Sequence, residues 1–138
     1  METIFTKIIK REIPAHIVYE DDLVIAFLDI TQTTLGHTLV VTKEPYKNIF
    51  EVPEDTLKHL IVVVKNLSVA ISNAFNASGV NLLNNNGAMA GQTVFHYHVH
   101  IIPRFKNDDI KVELPNQMST LTQEDYKKRA AMIIAALS

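Results

Sequence analysis

His96, His98 and His100 alternate with Tyr97 and Val99 in the segment Gly91-Gln92-Thr93-Val94-Phe95-His96-Tyr97-His98-Val99-His100-Ile101-Ile102-Pro103-Arg104. A β-strand turns successive side chains to opposite faces, so this spacing places three imidazoles on one face and Tyr97, Val99 and Ile101 on the other. Same-face neighbours start roughly 6.5–7 Å apart. Three rings in a row therefore do not converge easily on one atom; they divide roles along an extended group. Imidazole titrates near neutral pH and serves as nucleophile, proton donor or hydrogen-bond orienter. Transfer at phosphorus needs all three. A neutral histidine attacking phosphorus forms a phosphoramidate-type intermediate that water later cleaves.

A metal site is the competing reading. Two histidines at i and i+2 can bind one ion, and His37 could join them from another strand. Against it, the motif contains no carboxylate and the chain has no cysteine. His16 and His59 stand alone and read as ordinary surface or satisfied core residues. The loop before the triad supports a phosphate site. Gly87 and Gly91 allow close backbone approach to a ligand, and Gln92 and Thr93 supply an amide and a hydroxyl at the strand's start.

The rest of the chain must position these groups. Residues 4–10 read as a short helix closed by Ile13-Pro14. Residues 16–20 and 23–29 read as a hairpin around Asp21-Asp22, and residues 37–42 as a third strand after Gly36. Pro53 suits a first helical position, with Glu54 and Asp55 favourable at the positive dipole end. Leu57, Leu60, Ile61, Val64, Leu67, Ile71, Ala74 and Phe75 give the following helix one buried face, which Gly79 ends. Residues 80–84 and 95–103 read as a fourth and a fifth strand, with an added edge strand expected at 108–113. Thr122 and Asp125 resemble a capping box for a last helix whose Tyr126, Ala130, Ile133, Ile134 and Leu137 form a buried stripe. This order predicts an α+β fold built on an antiparallel sheet.

The 138 residues, 47% of them hydrophobic and 20% charged, suit one domain over 1–138 with a real core. A net charge of −2 offers no general attraction to nucleic acid or anionic membrane. No charged leader with an apolar run opens the sequence, and no apolar stretch is long enough to span a bilayer, so a cytoplasmic location is expected. Val62 and Val69 lie off the main stripe of the long helix, either as scattered exposed apolar residues or as a second contact, most simply with another copy of the chain.

His96 to Ile102 resembles the HφHφHφφ signature of the histidine triad (HIT) superfamily, where φ is hydrophobic. Thr3 to Ile9, Glu12 to Ala15, Tyr19 to Asp22, Ala26 to Ile30, Gly36 to Val41 and Asn85 to Thr93 extend the resemblance to its nucleotide-binding branch. It implies an antiparallel sheet of about five strands with one long helix and a C-terminal helix. It also implies a homodimer and a purine nucleotide substrate attacked at its α-phosphate, as in nucleoside phosphoramidates or dinucleoside polyphosphates. His98 would be the nucleophile, His96 and His100 would orient it and stabilise charge, and His37 would complete the cluster. Asp29 would hold ribose hydroxyls, Asn85, Gln92 and Thr93 would contact phosphate or the leaving side, and Ile4, Phe5, Ile8, Phe27 and Ile30 would line the base pocket. Many bacterial relatives carry CxxC and a further histidine for structural zinc. Here those positions are Thr3, Thr6 and Pro45, so neither a metal nor another cofactor is expected. A nucleotide-binding regulatory or scaffold protein with incidental catalysis is the alternative.

Overall fold

The computed structural model describes residues 2–137. A five-stranded, wholly antiparallel sheet runs in the order β1-β2-β3-β5-β4, made of β1 (Ile17–Glu20), β2 (Val24–Leu28), β3 (Thr38–Thr42), β4 (Gly79–Leu83) and β5 (His98–Arg104). Helix α1 (Ile4–Ile9) precedes the sheet, α2 (Glu54–Phe75) links β3 to β4, and α3 (Gln123–Leu137) follows β5. The expected α+β class and strand count hold. The near-continuous apolar runs of β2 and β3 have their reason here, because every residue of β3 and all but the last of β2 is buried.

The two faces of the sheet have different covers. On one, Val24, Ala26, Val40, Val99 and Ile101 pack against Leu60, Val63, Val64 and Ile71 of α2. On the other, Ile25, Phe27, Leu39 and Val41 pack against Phe5 and Ile8 of α1, a helix too short to cover the whole face. A cleft is left beside α1 on that second face.

Several boundaries differ from expectation. Ile61, Ala74 and Phe75 of the predicted stripe are exposed, whereas Val63 is buried. The seam α2 uses is the narrower one through residues 60, 63, 64 and 71. That helix ends at Asn76, in the left-handed region at φ 58°, and Gly79 opens β4 instead. Residues 108–113 form no strand: Asp109 accepts hydrogen bonds from Arg104 Nε and from the Phe105 and Lys106 amides, which folds the segment back as a turn. The expected cap of α3 is present, since Asp125 N donates to Thr122 Oγ1 at 3.2 Å and Thr122 N to Asp125 Oδ2 at 2.8 Å. Its expected buried stripe is absent, and Tyr126, Ile133, Ile134 and Leu137 are all exposed. No helix among the described residues is long and apolar enough to cross a membrane.

Candidate active site

β5 lies between β3 and the edge strand β4, so it is hydrogen-bonded on both sides. His98 pairs with Val41 and His100 with Leu39 across β3, placing both imidazoles on the α1 face. His37, two residues before Leu39, falls on the same face by the period of two. His96 departs from the expected geometry, because the ladder starts at His98 and His96 lies in the irregular segment before it. Its fully buried ring is instead held from both ends, by Thr42 O at 2.6 Å from Nε2 and by Thr3 Oγ1 at 3.0 Å from Nδ1. The alternation of the three histidines thus comes from a strand in two positions and from specific hydrogen bonds in the third.

The partners assign the ring protons. A carbonyl only accepts, so His96 carries its proton on Nε2 and donates it to Thr42 O. His98 Nδ1 lies 2.7 Å from the His96 carbonyl and donates to it, which leaves the lone pair on His98 Nε2. The Thr33 amide donates to His37 Nδ1 at 3.4 Å, so His37 donates from Nε2 to His100 Nδ1 at 2.9 Å. His100 then keeps its proton on Nε2. The row therefore presents one unprotonated nitrogen, on His98, next to one N–H, on His100. The two rings lie 5.2 Å apart between centroids.

Burial keeps this row neutral. It lowers the pKa of His37, His96 and His98, with Asp29 opposing the shift at His37 and His98. His100 falls to about 4 through burial and the neighbouring His98 and His37, against Asp29. A neutral imidazole is the nucleophilic form. Burial works against ionisation of Asp29. Hydrogen bonds from Thr31 N and Thr31 Oγ1 to its Oδ1, with His37 and His100 nearby, nevertheless hold its carboxyl below the ordinary value. Asp29 Oδ2 lies 3.6 Å from His37 Nε2 and 3.9 Å from His100 Nδ1. Asp29, His37 and His100 bring one ligand atom each to within 4.8 Å of one another, a donor set that would suit a divalent ion.

The cleft has a volume of about 260 Å³. It brings together His98, His100, Asp29, Thr93, Ile4, Phe5, Ile8, Phe27 and Ile30 of the expected site residues. Phe5, Ile8 and Phe27 belong to the core as well, while Ile30 stands at the rim, 92% exposed. The Phe5 ring meets His98 edge-on at 5.0 Å and His96 at 5.7 Å. Asn85 and Gln92 do not line the cleft. The Asn85 amide donates to Gly91 O at 3.4 Å. Buried Gln92 uses its whole amide inside the loop, accepting from Gly87 N and donating to Lys47 O and Val94 O. Thr31 and Thr33, which support Asp29 and His37, and Ile13, Pro14, Ala15, Leu28, Leu39 and Val94, which complete the lining, were not among the site residues expected from the sequence. Their types are ordinary for loops and core, and only the paired sheet brings them to the triad.

Similarity to known proteins agrees with this geometry. A family model of the HIT domain matches residues 10–107. The "Protein hit" of Bacillus subtilis is 50% identical over 106 residues, covering 77% of this chain and 73% of that protein. A solved structure of a HIT family member from Bacillus subtilis superposes with a TM-score of 0.94 at 41% identity, covering 100% of this chain and 99% of that one. The "Adenylylsulfatase HINT3" of Arabidopsis thaliana is 40% identical over 107 residues, 78% of this chain and 54% of that protein. The sheet, the histidine row and these similarities together place the chain in the HIT family.

Proposed function

We propose that this protein is a hydrolase or nucleotidyl transferase acting at the α-phosphate of a purine nucleoside phosphoramidate or dinucleoside polyphosphate. The observation that carries the reading is the neutral His98 ring, anchored through Nδ1 to the His96 carbonyl, with Nε2 unprotonated in a cleft that also holds Asp29. In the first step the Nε2 lone pair forms a P–N bond, the bond from phosphorus to the leaving group breaks, and that group takes up a proton. In the second, a water oxygen forms a P–O bond, the P–N electron pair returns to Nε2, and the water gives up a proton. The His100 N–H, beside the His98 ring, would donate a hydrogen bond to phosphate oxygen or leaving group. Asp29 Oδ2 is available to accept from ribose hydroxyls, and the apolar lining around Phe5, Ile8 and Phe27 suits a base. The name of the Arabidopsis thaliana relative, an adenylylsulfatase, points to an adenylyl substrate and so supports this reading.

The test is AMP release from adenosine 5′-phosphoramidate, with acid-quench trapping of labelled adenylate on the protein. Release that is equal in wild type and His98→Ala overturns the reading. A homodimer is part of the same proposal. It is supported by the exposed Ile61, Val62 and Val69 on α2 and by the apolar residues of α3 that find no cover within one chain. Light scattering at micromolar concentration should give about twice the 15.5 kDa chain mass.

A further inference from the structure

The hydroxyl of Thr3 uses all of its hydrogen-bonding capacity at a single junction. Its oxygen accepts from Phe5 N at 3.1 Å and Thr6 N at 3.2 Å, capping α1. Since His96 Nε2 donates to Thr42 O, His96 Nδ1 carries a lone pair, and the one proton of Thr3 Oγ1 goes to it at 3.0 Å. Both of its neighbours lead to the nucleophile. The His96 carbonyl accepts from His98 Nδ1 at 2.7 Å, and Phe5, two residues along from Thr3, packs its ring on His98 at 5.0 Å. One hydroxyl therefore joins the helix that walls the cleft to the histidine whose backbone aims His98. Valine would fill the same space at position 3 but leave a lone pair of the fully buried His96 ring without a donor.

We propose that Thr3 is a positioning residue for the reaction: its hydroxyl sets the orientation of the His96 ring and, through the His96 carbonyl, the aim of His98. The inference rests on the function proposed above. Three variants test it. Thr3→Val removes the donor and keeps the shape, whereas Thr3→Ser keeps the donor. Thr6→Val breaks the other half of the α1 cap, in which Thr6 Oγ1 accepts from Thr3 N at 2.8 Å, without touching His96. Nitrogen-15 NMR of the imidazoles reads the contact with no substrate present, and steady-state kinetics with adenosine 5′-phosphoramidate reads its consequence.

In Thr3→Val the His96 Nδ1 signal should move downfield on losing its hydrogen bond. The kcat should fall about tenfold, the worth of one buried hydrogen bond. Thr3→Ser should restore both, and Thr6→Val should keep kcat and the Nδ1 signal near wild type despite a weaker helix. An unmoved Nδ1 signal in Thr3→Val, an unchanged kcat, or an equal loss of kcat in Thr6→Val overturns the proposal. If turnover proves independent of His98, the function proposed above fails by itself, while the NMR comparison still decides whether Thr3 holds His96.

Discussion

Mild acid should destabilise this fold through His100, by an amount that can be worked out. Its pKa is about 4 in the folded chain, against an ordinary value of 6.5. The unfolded chain therefore binds a proton that the folded chain refuses, and stability falls as pH drops from 6.5 toward 4. A gap of about 2.5 units corresponds to about 3 kcal/mol once both forms are titrated, and about 2 kcal/mol of it is expressed at pH 5. At pH 5 the lowered carboxylates contribute little, because their ordinary values are 3.8 for Asp21, Asp29 and Asp109 and 4.5 for Glu20, and their lowered folded values shift their window further down. His37, His96 and His98, all lowered by burial, add to the loss in the same direction. The perturbation is His100→Gln, which keeps a polar side chain and cannot take up a proton. Urea unfolding at pH 7.5 and pH 5 measures four stabilities. The wild-type loss between the two pH values should exceed that of His100→Gln by about 2 kcal/mol. Equal losses would show that His100 titrates normally in the folded chain, and the account of burial would be wrong.

Three further outcomes are expected. Because folding lowers the pKa of His98 below 6.5, the acid limb of kcat/KM should lie below pH 6.5, and a midpoint above that value would contradict a buried neutral nucleophile. Asp29→Asn keeps an oxygen for the two Thr31 hydrogen bonds but loses the charge, so KM should rise about tenfold for a ribonucleotide and hardly at all for its 2′,3′-dideoxy analogue. A similar rise for both substrates would remove the ribose role. Gly36→Ala should cost about 1–3 kcal/mol in urea unfolding, since its φ is +93° and the added methyl would come within 2.8 Å of the Phe75 ring. An unchanged midpoint would mean that Phe75, which is partly exposed, moves aside freely.

The sequence alone determined the class of architecture and pointed to the family. Strong apolar patterns in β2, β3 and α2 specify their elements locally, and the alternation through His100 specifies which side chains share a face. The family signature in His96 to Ile102 adds the reaction class. Other features depended on partners distant in sequence. Residue types at 3, 42 and 96 carry no local sign that a hydroxyl and a carbonyl clamp the His96 ring, because the contacts span 93 and 54 residues. Gln92 reads as a phosphate donor until the folded loop gives its amide to Lys47 O and Val94 O. The stripe of α3 reads as buried from its period, yet periodicity states only that a face is apolar; whether anything covers that face is a property of the packed molecule. Likewise the protons of the four histidines were decided by tertiary structure alone, since a ring's tautomer follows from which carbonyl or amide lies against each nitrogen, and its neutrality from how far the fold removes it from water.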